Sequence, residues 1–134
     1  MKSIYLTCDS RDLDAVPDLE DYLFDQGFEV IVPIFEGDES EIRLDHQENL
    51  KSCDAALIYY GSGNELWLRS KTRDLLKVAG FGRATPLNNK AVYIGSPTNS
   101  RKDRFRSHDS VVIKGGEPFD PAVLNDFIQQ INQA

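Results

Sequence analysis

Residues 54–64 read DAALIYYGSGN, and this stretch decides the fold of the chain. From Ala55 to Tyr60 the residues are apolar or aromatic without interruption, as in a strand that is covered on both faces of a parallel sheet. The glycine-rich turn at 61–63 ends this strand, and Asn64 is a suitable cap for the helix that follows. A strand, a turn and a capped helix in this order predict one βα unit of a parallel α/β fold.

Similar units flank this stretch on both sides. Strands are predicted at residues 3–7, 28–34, 91–94 and 110–113, and helices at residues 16–24, 40–51, 64–78 and 121–131. Strands that are separated by helices pair in parallel through right-handed crossovers. We therefore predict a single domain over residues 1–134, with a flavodoxin-like, doubly wound, three-layer fold and five parallel strands in the order 2-1-3-4-5.

Three local details accompany this prediction. Asp12 or Asp14 is expected to cap the first helix, and Gly27 to end it in a left-handed conformation. The second strand, at 28–34, is nearly all apolar in its middle, so we expect it to be covered on both faces. The segment 97–108 is basic and poorly periodic, which predicts a loop with one helical turn.

Composition excludes several classes of protein. The net charge of -7 argues against a nucleic-acid binder, because phosphate backbones require a basic surface. Neither a membrane span nor a signal peptide is apparent, so we expect a cytoplasmic protein without membrane partners. Cys8 and Cys53 lie in or beside apolar runs, and we expect buried thiols rather than a disulfide.

Charge is unevenly distributed along the chain. Residues 9–48 contain 14 acidic and 2 basic side chains, whereas residues 69–106 contain 10 basic and 2 acidic ones. Either both segments form solvated faces, or the acidic face of one copy meets the basic face of the next. The second interpretation predicts self-association.

A ligand site is expected at the carboxyl ends of the strands, where the strand order reverses between the first and third strands. The loops that meet there are 8–12, 33–39 and 60–64. In the first loop, Asp9 and Ser10 are polar candidates, and Arg11 either pairs with Asp9 or Asp12 or binds a phosphate.

The third loop precedes a helix, so its backbone N–H groups can approach an anion, although it matches no established phosphate-binding pattern. Glu65 opens that helix. It serves either the helix dipole or, as a carboxylate facing a sugar, an oxocarbenium-like transition state. His46 is interpreted as a packing or capping residue, and the two histidines have no partners at metal-ligand spacing.

These elements resemble a bacterial Toll/interleukin-1 receptor (TIR) domain over nearly the whole chain. The first strand (4–7), its polar loop (9–12), the helix that ends at Gly27 and the second strand match the opening of that family in order. Residues 53–60 resemble its third strand, and Trp67 resembles its tryptophan.

The resemblance implies one of two roles. Some TIR domains cleave NAD at the nicotinamide–ribose bond, using a glutamate on the third helix, and others are non-catalytic self-association modules of signalling proteins. That glutamate usually lies one turn after the tryptophan, where this chain has Lys71. Glu65 is therefore the catalytic candidate, and Asp74 is expected to point away from the cleft.

The resemblance also implies a set of ligand-binding residues, with NAD as substrate rather than as a resident cofactor. The segment 33–39 matches the family's mobile loop, from which Phe35 and Glu36 would project. The candidate nucleotide-binding residues are Asp9, Ser10, Arg11, Phe35, Tyr60, Gly61, Ser62 and Trp67. A receiver-like or flavodoxin-like function is less well supported, because Tyr59 and Tyr60 end the third strand where a phosphoacceptor carboxylate would lie.

Overall fold

The computed structural model describes residues 1–133, and in this part of the chain five strands form one sheet. The strands are β1 (Ser3–Thr7), β2 (Glu29–Ile31), β3 (Ala55–Tyr60), β4 (Lys90–Ile94) and β5 (Val111–Lys114). Every neighbouring pair is parallel, and the order is β2-β1-β3-β4-β5. The predicted flavodoxin-like fold class is confirmed, with the strand order reversing between β1 and β3.

Helices connect the strands close to the predicted positions. They are α1 (Pro17–Asp25), α2 (Glu39–Ser52), α3 (Glu65–Leu76), α4 (Ser100–Asp103) and α5 (Asn125–Gln133). The short α4 is the single helical turn that was expected in the basic segment. Asp120 caps a 3₁₀ turn that starts with Pro121 and leads into α5.

Successive strand residues face opposite sides of the sheet, and each side has its own apolar layer. The side that α1 and α5 cover contains Ile4, Leu6, Leu57, Tyr59, Ala91, Tyr93 and Ile113. The side that α2 and α3 cover contains Tyr5, Ala56, Ile58, Tyr60, Val92 and Ile94. The result is a three-layer arrangement in which the consecutive residues Tyr59 and Tyr60 lie on different sides.

The second strand is shorter than predicted. β2 pairs with β1 on one side and lies at the edge of the sheet, so it is not covered like a central strand. Glu29 is exposed and Val30 and Ile31 are partly buried, which corrects the expectation of burial on both faces. Pro33 follows closely and cannot donate to a ladder, which limits the length of the strand.

The start of α3 is as predicted, but that of α1 is not. The Asn64 side chain accepts a hydrogen bond from the Trp67 backbone N–H at 2.9 Å, so Asn64 caps α3. α1 begins after Val16, whose side chain cannot accept a hydrogen bond, so the prediction of an Asp12 or Asp14 cap is wrong. Asp12 is used elsewhere, as described below.

The remaining expectations concern the cysteines and the membrane. Cys8 and Cys53 are both buried and both free, as predicted. Burial raises the pKa of the Cys8 thiol to about 11, so this thiol is protonated at neutral pH. Over residues 1–133, none of the helices has both the length and the apolar character needed to cross a membrane.

Candidate functional site

A cleft lies beside the carboxyl ends of β1 and β2, next to the first two turns of α3, where the strand order predicts a site. We call it the Trp67 cleft. Its volume is about 250 Å³, and it is lined by Tyr5, Cys8, Asp9, Ser10, Pro33, Ile34, Phe35, Ile42, Asp45, His46, Trp67 and Lys71. Four of the predicted binding residues, Asp9, Ser10, Phe35 and Trp67, therefore line one cleft.

Trp67 is held in this cleft by the loop that precedes it. A Cβ atom on Gly63 would lie 2.7 Å from two carbons of the indole, so a side chain at this position would displace the ring. The Lys71 ammonium lies 5.9 Å from the ring centroid, one helical turn further along α3. Lys71 thus places a positive charge beside an aromatic surface.

Asp9 and Arg11 form an ion pair at the edge of the cleft. Arg11 Nε donates to Asp9 Oδ1 at 2.9 Å, and Nη2 donates to Oδ2 at 3.1 Å. The hydrogen bond from Arg11 lowers the pKa of the Asp9 carboxyl, so Asp9 is ionised at neutral pH. Of the two roles considered for Arg11, the structure shows the pairing, and its guanidinium is not among the groups that line the cleft.

Asp12 is turned into the protein and binds the loop after β3. Its carboxylate accepts from the Ser62 backbone N–H at 3.0 Å and from the Ser62 hydroxyl at 2.7 Å, and the residue is 3% exposed. A loop before a helix was expected to approach an anion. It does so, but the anion is a side chain of the same protein.

Lys102 holds the same loop from the other side. Its ammonium, on a residue only 1% exposed, donates to the carbonyl oxygens of Gly61 at 2.6 Å, Gly95 at 3.0 Å and Pro97 at 2.5 Å. Burial lowers the pKa of Lys102, and the negative charge of Asp12 acts against that shift. No pattern in the sequence distinguished the buried Lys102 from the exposed basic residues around it.

Glu65 lies in a different cavity from Trp67. This second cavity has a volume of about 320 Å³ and is lined in part by Tyr60, Gly61, Ser62, Glu65 and Arg101. The Glu65 side chain is 48% exposed and lies 3.9 Å from Arg69. The structure therefore places eight of the nine predicted site residues in two groups of four, one lining each cavity, and Arg11 lines neither.

Sequence reasoning missed a chain of hydrogen bonds that joins β1, α2 and α3. The Tyr5 hydroxyl lies 2.7 Å from His46 Nδ1, and His46 Nε2 lies 2.9 Å from Asp74 Oδ2. A neutral imidazole satisfies both contacts, accepting from Tyr5 and donating to Asp74. His46 is thus neither a cap nor a simple packing residue, and Asp74 does not line the cleft but binds a residue that does.

No protein-family model matches this chain, and neither does any curated protein. Among solved structures, the chain is similar to a 2-deoxyribosyltransferase from Bacillus psychrosaccharolyticus, with 18% identity and a TM-score of 0.53 over 91% of this chain and 95% of that one. It is also similar to a 3-dehydroquinate dehydratase-like protein from Bifidobacterium longum, with 15% identity and a TM-score of 0.57 over 100% of both chains. Likeness at these identities shows a shared fold.

Replacing Gly61 by alanine should destabilise the protein. The new Cβ would lie 2.5 Å from the Tyr59 ring and 2.8 Å from both Asp12 oxygens, none of which can move freely. We expect Gly61→Ala to lower the free energy of unfolding in urea by about 1–3 kcal/mol, as overpacking does. Gly116→Ala is the control, because its nearest contact would be an ordinary 3.8 Å. Equal stability of the two variants would contradict the tight packing of this loop.

Proposed function

We propose that this chain is a TIR-like domain that binds a nucleotide in the Trp67 cleft and, when copies assemble, hydrolyses NAD. The observation that carries the proposal is the convergence of Phe35, Trp67, Lys71, Asp9 and Ser10 around one cleft at the strand-order reversal. Parallel α/β proteins bind ligands at this point of the sheet.

The chemistry of the cleft matches the parts of a nucleotide. Trp67 is partly buried and Phe35 is 36% exposed, and such rings stack well on a flat base. Lys71 attracts a phosphate, and Asp9 and Ser10 offer hydrogen bonds to ribose hydroxyls. The volume of about 250 Å³ lies just below the range of roughly 300–1,000 Å³ that buries a drug-sized ligand, so one half of a dinucleotide would enter.

The activity of one solved protein with this fold indicates which bond to test first. That bond is the one between a sugar and a base. The Bacillus psychrosaccharolyticus enzyme is a 2-deoxyribosyltransferase that is a suitable biocatalyst for the industrial synthesis of antiviral and antitumoral nucleosides. This likeness extends to the fold and supplies no residue correspondence. Together with the TIR resemblance, it favours NAD, whose nicotinamide is joined to ribose, as the first substrate to test.

In the proposed reaction, water attacks the ribose carbon as the nicotinamide leaves with the electrons of the broken bond. The attacking water loses its proton to solvent, and a carboxylate stabilises the positive charge that develops on the sugar. We assign this role to Glu65. Because Glu65 lines the second cavity, this role requires the nicotinamide ribose to reach past the Gly61–Gly63 loop from the Trp67 cleft.

Nucleotide binding can be followed with the protein's own fluorescence, because Trp67 is its single tryptophan. We expect NAD to quench Trp67 emission saturably, since a stacked nicotinamide or adenine covers the indole. Lys71→Met should weaken the binding about tenfold by removing a charge-assisted contact to phosphate. Lys77→Met, on an exposed residue after α3, is the matched control. Quenching that does not saturate, or that is equal in both variants, would exclude this cleft.

NAD cleavage is tested by incubating concentrated protein with NAD and measuring released nicotinamide by chromatography. We expect release by the wild type and a loss of at least about 100-fold in Glu65→Gln, which keeps the size but not the charge. Glu29→Gln changes an exposed glutamate on β2, outside both cavities, and should leave the rate unchanged. Release that persists in Glu65→Gln would contradict the role of Glu65, and binding without any release would favour the second function below.

The second candidate function is that of a non-catalytic self-association module of a signalling protein. It rests on two neighbouring helices with opposite charge and exposed leucines. α2 presents Glu41, Glu48 and Leu44, which is 60% exposed, whereas α3 presents Arg73 and Leu76, which is 64% exposed. A heterologous contact between these surfaces would bury apolar area and pair opposite charges.

This function predicts association that depends on salt. We expect the sedimentation coefficient to rise with concentration at low ionic strength and to approach that of a monomer at about 1 M salt, where screening acts over roughly 3 Å. Arg73→Glu should weaken association, and mixing it with Glu48→Arg should restore it in a heterologous contact. A monomer at every concentration and salt level would exclude this function.

A further inference from the structure

A third cavity lies on the opposite face of the sheet from the Trp67 cleft, on the side that α1 covers. We call it the tyrosine cavity. Its volume is about 260 Å³, and its lining includes Asp14, Asp18, Tyr59, Tyr93, Glu117 and Phe119. Tyr59 and Tyr93 belong to the apolar layer between the sheet and α1 and α5. The proposed nucleotide site does not use this cavity.

Glycines after the strands make room for the two tyrosines. Tyr59 and Tyr93 are register partners, and their rings stack with centroids 5.6 Å apart at an interplanar angle of 17°. A Cβ on Gly95 would lie 2.4 Å from the Tyr59 hydroxyl, and a Cβ on Gly115 would lie 2.4 Å from the Tyr93 hydroxyl. Each phenol therefore extends over a glycine that follows the neighbouring strand.

Neither hydroxyl has a hydrogen-bond partner among residues 1–133. Tyr59 is 6% exposed and Tyr93 is 4% exposed, and no group in residues 1–133 forms a hydrogen bond with either hydroxyl. In contrast, the Tyr22 hydroxyl donates to Asn125. No polar side-chain atom in the same part of the chain is fully enclosed without a partner, so both hydroxyls open onto the cavity that they line. Because both hydroxyls face the open cavity, each can form a hydrogen bond with a bound ligand.

Negative charge surrounds this opening. Asp14, Asp18 and Glu117 are exposed and line the cavity, which has no lysine or arginine among its lining residues in the described chain. Burial, assisted by carboxylates that include Glu117, raises the pKa of Tyr59 to about 12 and also raises that of Tyr93. The phenols are therefore neutral at physiological pH, and the cavity favours a cation.

The carboxylates do not converge on a point. Across residues 1–133, no group of three or more histidine, cysteine, aspartate or glutamate side chains could hold a metal ion. A single ligand that contacts all three carboxylates would therefore need positive charges at separate positions. Apolar groups, among them Leu19 and Phe119, lie between the polar ones and suit a methylene chain.

We propose that the tyrosine cavity binds a short aliphatic diamine. One ammonium contacts Glu117 and the tyrosine hydroxyls, the other contacts Asp14 and Asp18, and the methylene chain lies against Leu19 and Phe119. The hydroxyl of Ser96 already donates to Glu117 at 3.0 Å, which orients that carboxylate at the opening. This site is independent of the proposed nucleotide function.

The test is calorimetric titration of the full chain with 1,4-diaminobutane at low ionic strength. We expect saturable binding of one molecule, and about tenfold weaker binding in Glu117→Gln, which loses one charge-assisted hydrogen bond. Asp25→Asn removes the same charge from an exposed position in the last turn of α1 and should bind like the wild type. The double variant Tyr59→Phe with Tyr93→Phe should fold, by circular dichroism, and bind less tightly.

Three results would overturn the proposal. They are the absence of saturable binding, an equal effect of Glu117→Gln and Asp25→Asn, and equal affinity for 1-aminobutane, which carries one charge. Magnesium that displaces the diamine at an equal concentration would identify a metal site instead. Nucleotide binding at Trp67 can succeed or fail without changing any of these results.

Discussion

The buried ammonium of Lys102 is the contact on which the arrangement of the site depends. It donates to carbonyl oxygens that follow both β3 and β4, just beyond the point where the ladder between these strands ends. Burying a charge is costly unless acceptors replace its water. Three carbonyl oxygens and the nearby charge of Asp12 supply that replacement. Because Asp12 binds Ser62 from the opposite side, the loop is fixed between two buried, oppositely charged groups.

The position of this loop determines where α3 starts, and through α3 it determines the site. Asn64 caps the helix directly after the loop, so Trp67 and Lys71 face the first cleft while Glu65 faces the second cavity. A displacement of the loop would move all three side chains together. The loop and its two buried charged groups therefore determine which cavity each of these side chains lines.

The sequence predicted the architecture well because that architecture follows from local patterns. The apolar run at 55–60, the Asn64 cap and the alternation of strands with helices are each visible within a few residues. Contacts between distant residues were not visible. His46 meets Asp74 from 28 positions away, and Lys102 meets Gly61 from 41 positions away, so neither contact has a periodic or spacing signal. The Asp12 cap failed for the same reason, since a tertiary partner replaced the local one.

The alternation of side chains along β3 places two cavities at consecutive residues. Tyr59 and Tyr60 are neighbours in the chain, yet one lines the tyrosine cavity and the other lines the cavity that contains Glu65. Occupants of these two cavities would thus contact adjacent peptide units of a single strand end. If one occupant changes the affinity for the other, the coupling free energy is the same in both directions, as thermodynamic linkage requires. The carboxyl end of β3 would then couple two ligand sites that lie on opposite faces of the sheet.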